Sequence, residues 1–321
     1  MAAVSYHRTV NVLQAASDAV GPFDRVEWFK MLEDSGHKPL IALAGDANGR
    51  DQALVLEGAA GRLQSLANWY AFTWRPIGND PSLMEAIARS LRQSAYRVTL
   101  RPVPEENGVA AILCRAFRKS GWHVRCVRSD VNHVLRVGGR TFAQYWGGRP
   151  GALRTAVSRK GGRVDVQVFR HFDADSWKSF EAVYADSWKP AEGDPEFLRR
   201  FARAEGDAGR IRLAIATKDG QPVAAQFWTV ENATAYIHKL AHRESASYLS
   251  PGTIVTARLM AEVIDRDNVE FVDFGTGDDA YKADWMEIVR PRFTIDCLNP
   301  SNPRAWPALA KRMLAPVRAA V

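Results

Sequence analysis

Just past Gly275 the chain collects an amine, a phenol and two carboxylates in one short run, Thr276-Gly277-Asp278-Asp279-Ala280-Tyr281-Lys282. An ammonium held beside a reacting carbonyl steadies the negative charge that develops there, or grips a phosphate. On this reading Lys282 is the leading candidate. Tyr281 could protonate a leaving group, and Asp273 could serve as a base or orient the lysine. Asp278 and Asp279 are candidate substrate contacts, although either could instead cap a short helix over 281–286. His238 has the pKa to accept an amine's proton. Its i,i+4 partner His242 lies across a strand and a loop, so the pair makes no metal site.

Upstream, Ser250-Pro251-Gly252-Thr253 has the chemistry of a helix start. Ser250 suits the N-cap, its hydroxyl taking a free backbone N–H. Pro251 suits the first helical position, and Gly252 leaves the backbone open to close approach. Ile254, Val255, Leu259, Met260, Val263 and Ile264 then recur at helical spacing. A helix mouth with open amides favours an anion.

These two features need elements to bring them together. Tyr236–Leu240 reads as a strand leading into the turn. Glu270–Phe274 reads as a second strand that ends at the polar loop, where α/β sheets place ligands. The first half of the chain has the same order: a helix near 24–33, a hairpin of 40–43 and 53–57 about a turn over Gly45–Gly49, a strand over 62–70, a helix over 82–94 and a strand at 97–100. The repeated order suggests a diverged internal duplication. Residues 1–22 read as a loose arm and 306–317 as a terminal helix.

Composition narrows the class. The net charge of +7 permits an anionic ligand without demanding one. The three cysteines, Cys114, Cys126 and Cys297, are scattered and form no C-x-x-C pair, so they read as buried, reduced thiols. No apolar run is long enough to span a bilayer, and the first residues lack a signal-peptide pattern, which places the expected location in the cytoplasm. Walker and G-x-S-x-G elements are absent, leaving NTPase and hydrolase readings without support. Over 141–162 a helical, acid-free segment carries Arg149, Arg154, Arg159 and Lys160, with Arg163 just after. It reads first as a solvated basic face and second as a surface for an anionic substrate such as tRNA.

The runs SPGT and FVDFGTGDDAYKADW, with SFEAVYADSWK, DGQPVAAQFW and AYIHKLAH before them, resemble the FemAB/CelD-type acyltransferases, a branch of the GNAT (N-acetyltransferase-like) superfamily. The resemblance covers about residues 140–298 well and about 40–122 more loosely. It implies an α/β (α+β) fold of tandem GNAT-like domains, each a mixed, mostly antiparallel sheet flanked by helices. Residues 1–138 would form a degenerate domain and 139–321 the acyltransferase domain. The implied activity is acyl-CoA-dependent N-acyl transfer, with acetyl-CoA as co-substrate and no metal. The implied acceptor is a small-molecule or glycan amine, such as an amino sugar in envelope or exopolysaccharide biosynthesis.

Residue by residue, the resemblance puts the donor's pyrophosphate at Ser250, Pro251, Gly252 and Thr253. It puts the acyl carbonyl against the backbone of Lys239, Leu240 and Ala241, and the acceptor near Tyr184, Trp188 and Lys189. Lys282 matches a lysine of FemX-type enzymes. The usual two-glycine donor loop is reduced here to Gly252 alone. FemX-type members use aminoacyl-tRNA, so an aminoacyl-tRNA-dependent transferase is one alternative. A non-catalytic binding module on a decayed transferase fold is another.

Overall fold

The computed structural model describes residues 3–13, 19–45 and 51–314. In chain order the elements begin β1 (Ala3–His7), α1 (Val26–Asp34), β2 (Pro39–Gly45), β3 (Asp51–Ala59), β4 (Arg62–Ser65), α2 (Pro81–Leu91), β5 (Arg97–Pro104), α3 (Val109–Lys119) and β6 (His123–Arg136). Then come α4 (Phe142–Gly147), α5 (Gly151–Lys160), β7 (Asp165–Phe169), α6 (Ala174–Ala185), α7 (Pro195–Asp207), β8 (Ile211–Lys218), β9 (Gln221–Glu231) and β10 (Thr234–His242). The chain closes with α8 (Pro251–Ala261), β11 (Phe271–Thr276), α9 (Ala280–Ala283), β12 (Ile288–Leu298) and α10 (Trp306–Leu314). The fold is mixed α/β with mostly antiparallel strand pairing.

The chain divides into two compact units, Met1–Val131 with Arg290–Val321, and Asn132–Val289. The sequence expectation drew one boundary at 138/139 and kept the C-terminal stretch with the second domain. In the structure β12 pairs antiparallel with β5, from Arg292↔Pro104 to Leu298↔Arg97, which groups that stretch with the first unit.

In the first unit the strands run β1-β2-β3-β4-β5-β12-β6. Residues expected as a loose arm include β1, which pairs with β2 from Ala3↔Gly45 to His7↔Ile41, so the outer β2 edge is occupied. The strand expected over 62–70 stops at Ser65; of the turn expected over Gly45–Gly49, Gly45 ends β2 and the rest lies outside the described residues, as do the last residues of the terminal helix. α2 starts where Asp80 accepts from the amides of Ser82 and Leu83, with Pro81 at the first position. It buries Leu83, Met84, Ile87 and Leu91 on one face.

The second unit has strand order β6-β11-β10-β9-β8-β7. α8 packs its apolar residues Val255, Leu259 and Met260 into a core shared with Trp228, Ile237, Val272 and Tyr145. The order helix, hairpin, strand, helix, strand recurs as α6, β8–β9, β10, α8, β11, matching α1, β2–β3, β4, α2, β5. In each unit the last two strands of this series pair in parallel, β4 with β5 and β10 with β11. A helix must lie between parallel neighbours, which is why α2 and α8 occupy equivalent places.

Candidate active site

The site is built in the second unit where two parallel strands part. β10 stays in register with β9 as far as His242↔Ala224, with a bulge between Ile237 and Lys239. Its register with β11 ends at Tyr236↔Asp273. β11 turns away because Asp273 accepts from Gly275 N at 2.8 Å and from Asn132 Nδ2 at 3.0 and 3.1 Å, and Gly275 takes a positive φ of 72°. Beyond the parting lies Lys239-Leu240-Ala241. Asp273, considered above as a base, is 6% exposed and engaged in shaping the strand end.

The mouth of α8 faces the end of β10. A Cβ added at Gly252 would meet Nδ1 of His242 at 3.2 Å. The His242 ring stacks obliquely on the Trp188 ring at 4.4 Å. Burial holds the imidazole below its ordinary pKa, with the Lys189 charge adding to the effect. Ser250 does not cap with its hydroxyl as expected. It sits in the left-handed region (φ 54°), and its hydroxyl accepts instead from Lys160 Nζ at 2.9 Å. The left-handed backbone turns the side chain away from the amides, toward α5. The helix mouth is anchored from below by Gln226, fully buried, whose amide donates to Gly252 O (3.0 Å) and Thr256 Oγ1 (2.6 Å) and accepts from Trp228 Nε1 (2.9 Å).

After β11 the loop is drawn together by Lys282. Its side chain is buried, and Nζ donates to Thr276 O at 2.5 Å and Gly277 O at 3.1 Å, with Asp279 at 3.5 Å. A buried ammonium must find acceptors, and here the loop backbone supplies them. Asp279 stands at the N-cap position of α9 but its side chain makes no cap hydrogen bond, and Asp278 pairs with His133 Nε2 at 2.9 Å. Neither carboxylate caps the helix. Tyr281 is 42% exposed, packs edge-on against Phe274, and has its phenol pushed up to about 12, chiefly by burial and also by Asp279. It is therefore protonated at neutral pH: a donor rather than a base.

On the other side, α6, α7 and the connection between them line a cavity of 610 Å³ with Phe180, Tyr184, Lys189, Glu192, Pro195 and Leu198 among its walls. Lys239 contacts two of these lining residues. Its Nζ pairs with Glu192 at 2.8 Å and lies 5.4 Å from the Tyr184 ring centroid. Burial lowers the Lys239 pKa against the opposing pull of Glu192. Lys189 is lowered too, by burial first and then by the like charges of Lys239 and Lys282. Lys189 thus shares an electrostatic neighbourhood with Lys239 and Lys282, and also with His242, which touches Gly252.

His238 has a different setting. Its Nε2 is 2.8 Å from Thr229 Oγ1, and its ring packs against Phe227 and Phe201. The ring is thus held among aromatic side chains. The sequence alone does not single out Glu192, Gln226, His133 or His242 for the site, and offers Lys160 only as part of a basic segment. The polar Gln226 inside the apolar run VAAQFW is a usable signal; the others depend on contacts between distant segments. Among the described residues no group of three His, Cys, Asp or Glu side chains is arranged to hold a metal, and no helix is long and apolar enough to cross a membrane.

A family model for the acetyltransferase (GNAT) domain matches residues 151–283, which carry α8, the β10–β11 parting, Lys189 and Lys282. No curated protein matches the chain. Among solved structures, FemX superposes with a TM-score of 0.63 at 9% identity, covering 88% of this chain and 93% of that one. The structure of L-PGS from Bacillus licheniformis gives 0.57 at 11% identity, covering 89% and 91%. A tandem GNAT protein from the clavulanic acid biosynthesis pathway gives 0.50 at 13% identity, covering 94% and 100%. At such identities the likeness is one of fold. The second unit thus has the GNAT fold.

Proposed function

We propose that this protein is an acyl-CoA-dependent N-acyltransferase of the FemAB/CelD type, with acetyl-CoA as donor. The observation that carries the reading is the parting of β10 and β11 beside the open mouth of α8. An extended thioester carrier needs such a gap to lie against strand amides, and its phosphates need unblocked main-chain donors. Gly252 and Thr253 supply amides at the mouth, Pro251 supplies none, and Lys160 and His242 flank it. The backbone of Lys239–Ala241 would face the acyl carbonyl.

The amine enters from the cavity between α6 and α7. Its ammonium must lose a proton before it can attack. Glu192, one of the carboxylates lining that cavity, is the acceptor we favour, and its partner Lys239 has a depressed pKa that eases proton movement along the pair. Attack forms the C–N bond and breaks the C–S bond. Tyr281, with its proton retained, is our candidate donor to the departing thiolate, and Lys282 holds the loop that carries it. The acceptor class we favour is an amino sugar of envelope or exopolysaccharide biosynthesis, and the compartment the cytoplasm. Isothermal titration of the intact protein with acetyl-CoA and with CoA tests the donor: micromolar to millimolar binding is expected, and none at all removes the assignment.

A second reading is aminoacyl transfer from charged tRNA. The Lys160–Ser250 contact favours it, because it sets the basic α5, with Arg154 and Arg159 exposed, beside the donor mouth. Binding of tRNA that weakens steeply with salt and competes with turnover would support this reading over the first.

A further inference from the structure

Two side chains of opposite charge, Asp24 (7% exposed) and Arg75 (9% exposed), line one cavity of the first unit. The cavity holds 370 Å³, within the range of small-molecule sites. Much of the remaining wall is apolar: Ile77, then Met84 from α2, and Val109 and Leu113 from α3. Asn79 and Asn107 also border it and are exposed, so the cavity opens to solvent at that end. None of these residues belongs to the site proposed for acyl transfer.

Local structure fixes both charges. The Asp24 carboxylate accepts from the amides of Val20 and Gly21, each at 2.9 Å, just before α1. Its neighbour Phe23 packs on Trp28 and on Phe72, with ring centroids 5.0 and 4.9 Å apart, which ties this turn to the segment leading to Arg75. That segment is held on both sides of Arg75. Trp74 donates Nε1 to Val55 O at 3.2 Å and its backbone N to Pro102 O at 2.7 Å. Ile77 exchanges two backbone hydrogen bonds with Ala53 of β3, at 2.8 and 3.0 Å. The buried Gln52 adds to this hold: its amide donates to Ile77 O at 2.7 Å and Gly78 O at 3.2 Å, and accepts from Asp80 N at 2.8 Å. Gln52 thus builds the wall, and Asp24 and Arg75 are the charged groups left to orient a guest.

We propose that this cavity binds a free α-amino acid with an apolar side chain, its carboxylate on Arg75 and its ammonium on Asp24. A guanidinium fork matches a carboxylate through two parallel N–H···O bonds. Each Asp24 oxygen takes one backbone amide and keeps a further lone pair for an ammonium. Burial pushes the Asp24 carboxyl up, against the Val20 and Gly21 amides and the Arg75 charge, and a ligand ammonium would add to the pull that keeps it ionised. A zwitterion brings no net charge into this poorly solvated space, whereas a simple acid or amine brings one. The apolar walls then favour an aliphatic or aromatic side chain over a polar one.

The test is titration calorimetry of the full-length protein with L-leucine and L-phenylalanine. Leucine is then compared with isoamylamine, which lacks its carboxylate, and 4-methylpentanoate, which lacks its ammonium. At least one of the two amino acids should bind, and leucine should exceed each of its analogues at least about tenfold. Arg75→Met should weaken leucine at least about tenfold and leave isoamylamine unchanged, and Asp24→Asn should do the same with 4-methylpentanoate as the unchanged ligand. Val109→Trp, at the first position of α3, fills the cavity without touching either charge and should abolish leucine binding with the melting temperature preserved. No heat from either amino acid up to about 10 mM would overturn the proposal. So would an analogue that matches leucine on the wild type, a comparison that needs no variant to fold, or a leucine affinity that any of the three substitutions leaves unchanged.

Discussion

His242 closes one side of the α8 mouth against Gly252: the position a methyl group would take at Gly252 lies 3.2 Å from Nδ1 of the imidazole. A hydrogen at residue 252 leaves the helix amides open between the ring and the strand end. A side chain there would fill the space a phosphate needs. Gly252→Ala is therefore expected to fold, since its φ needs no glycine and the His242 ring has only to give by a few tenths of an ångström, and to bind CoA at least about tenfold more weakly, roughly 1.4 kcal/mol. Titration calorimetry on the variant measures this, and unchanged CoA affinity would remove the α8 mouth from the donor site.

Lys282 makes the second prediction. Its ammonium joins Thr276 O and Gly277 O inside a buried loop. Lys282→Met keeps most of the volume but leaves two carbonyls to find water, costing about 1–3 kcal/mol. On the proposed mechanism the same change drops kcat by roughly 100-fold or more, a loss of about 2.7 kcal/mol of transition-state stabilisation. A variant that melts lower but turns over normally would reduce Lys282 to a loop staple.

The Lys239–Glu192 pair supplies the third. Both side chains are about nine-tenths buried, so removing one charge strands the other. Lys239→Ala should cost about 3 kcal/mol of stability, and the double change Lys239→Ala/Glu192→Ala should recover part of that. Chemical denaturation of the four proteins gives the coupling. Glu192→Gln, which keeps the shape, should lower kcat with little change in donor affinity; equal loss of both would place Glu192 outside the proton path.

A fourth concerns pH. His242 has a folded pKa below its unfolded value, because burial disfavours the imidazolium. The unfolded chain then binds the proton first as pH falls, so stability is full above about 6.5 and declines below it. His242→Gln should lack this decline. Melting temperatures of the two proteins from pH 7.5 to 5 should diverge only at the acid end, with the wild type falling faster; parallel curves would contradict the burial argument.

Much of this architecture was legible in one dimension. Pro251-Gly252 followed by Ile254, Val255, Leu259 and Met260 marks a helix start by backbone chemistry and periodicity, both local properties. The alternation of Glu270–Phe274 and its stop at Gly275 marks a strand end for the same reason. Where local rules competed with distant partners they failed. Ser250 has the chemistry of an N-cap, but Lys160 draws its hydroxyl away. Asp278 and Asp279 have the chemistry of caps, but His133 and Lys282 hold them. Residues 3–7 are too few and too polar to declare a strand, and only pairing with β2 makes them one.

What the sequence determined by itself was therefore the set of elements and the kind of turn that joins them, since hydrophobic period and backbone restriction act over a few residues. The tertiary structure alone decided that Lys189 answers to Lys239 and Lys282, that Glu192 meets Lys239, and that the His242 ring lies on Trp188 beside Gly252. Those are interactions through space between charges and rings. Their strength depends on separations and burial that only strand order and helix placement set.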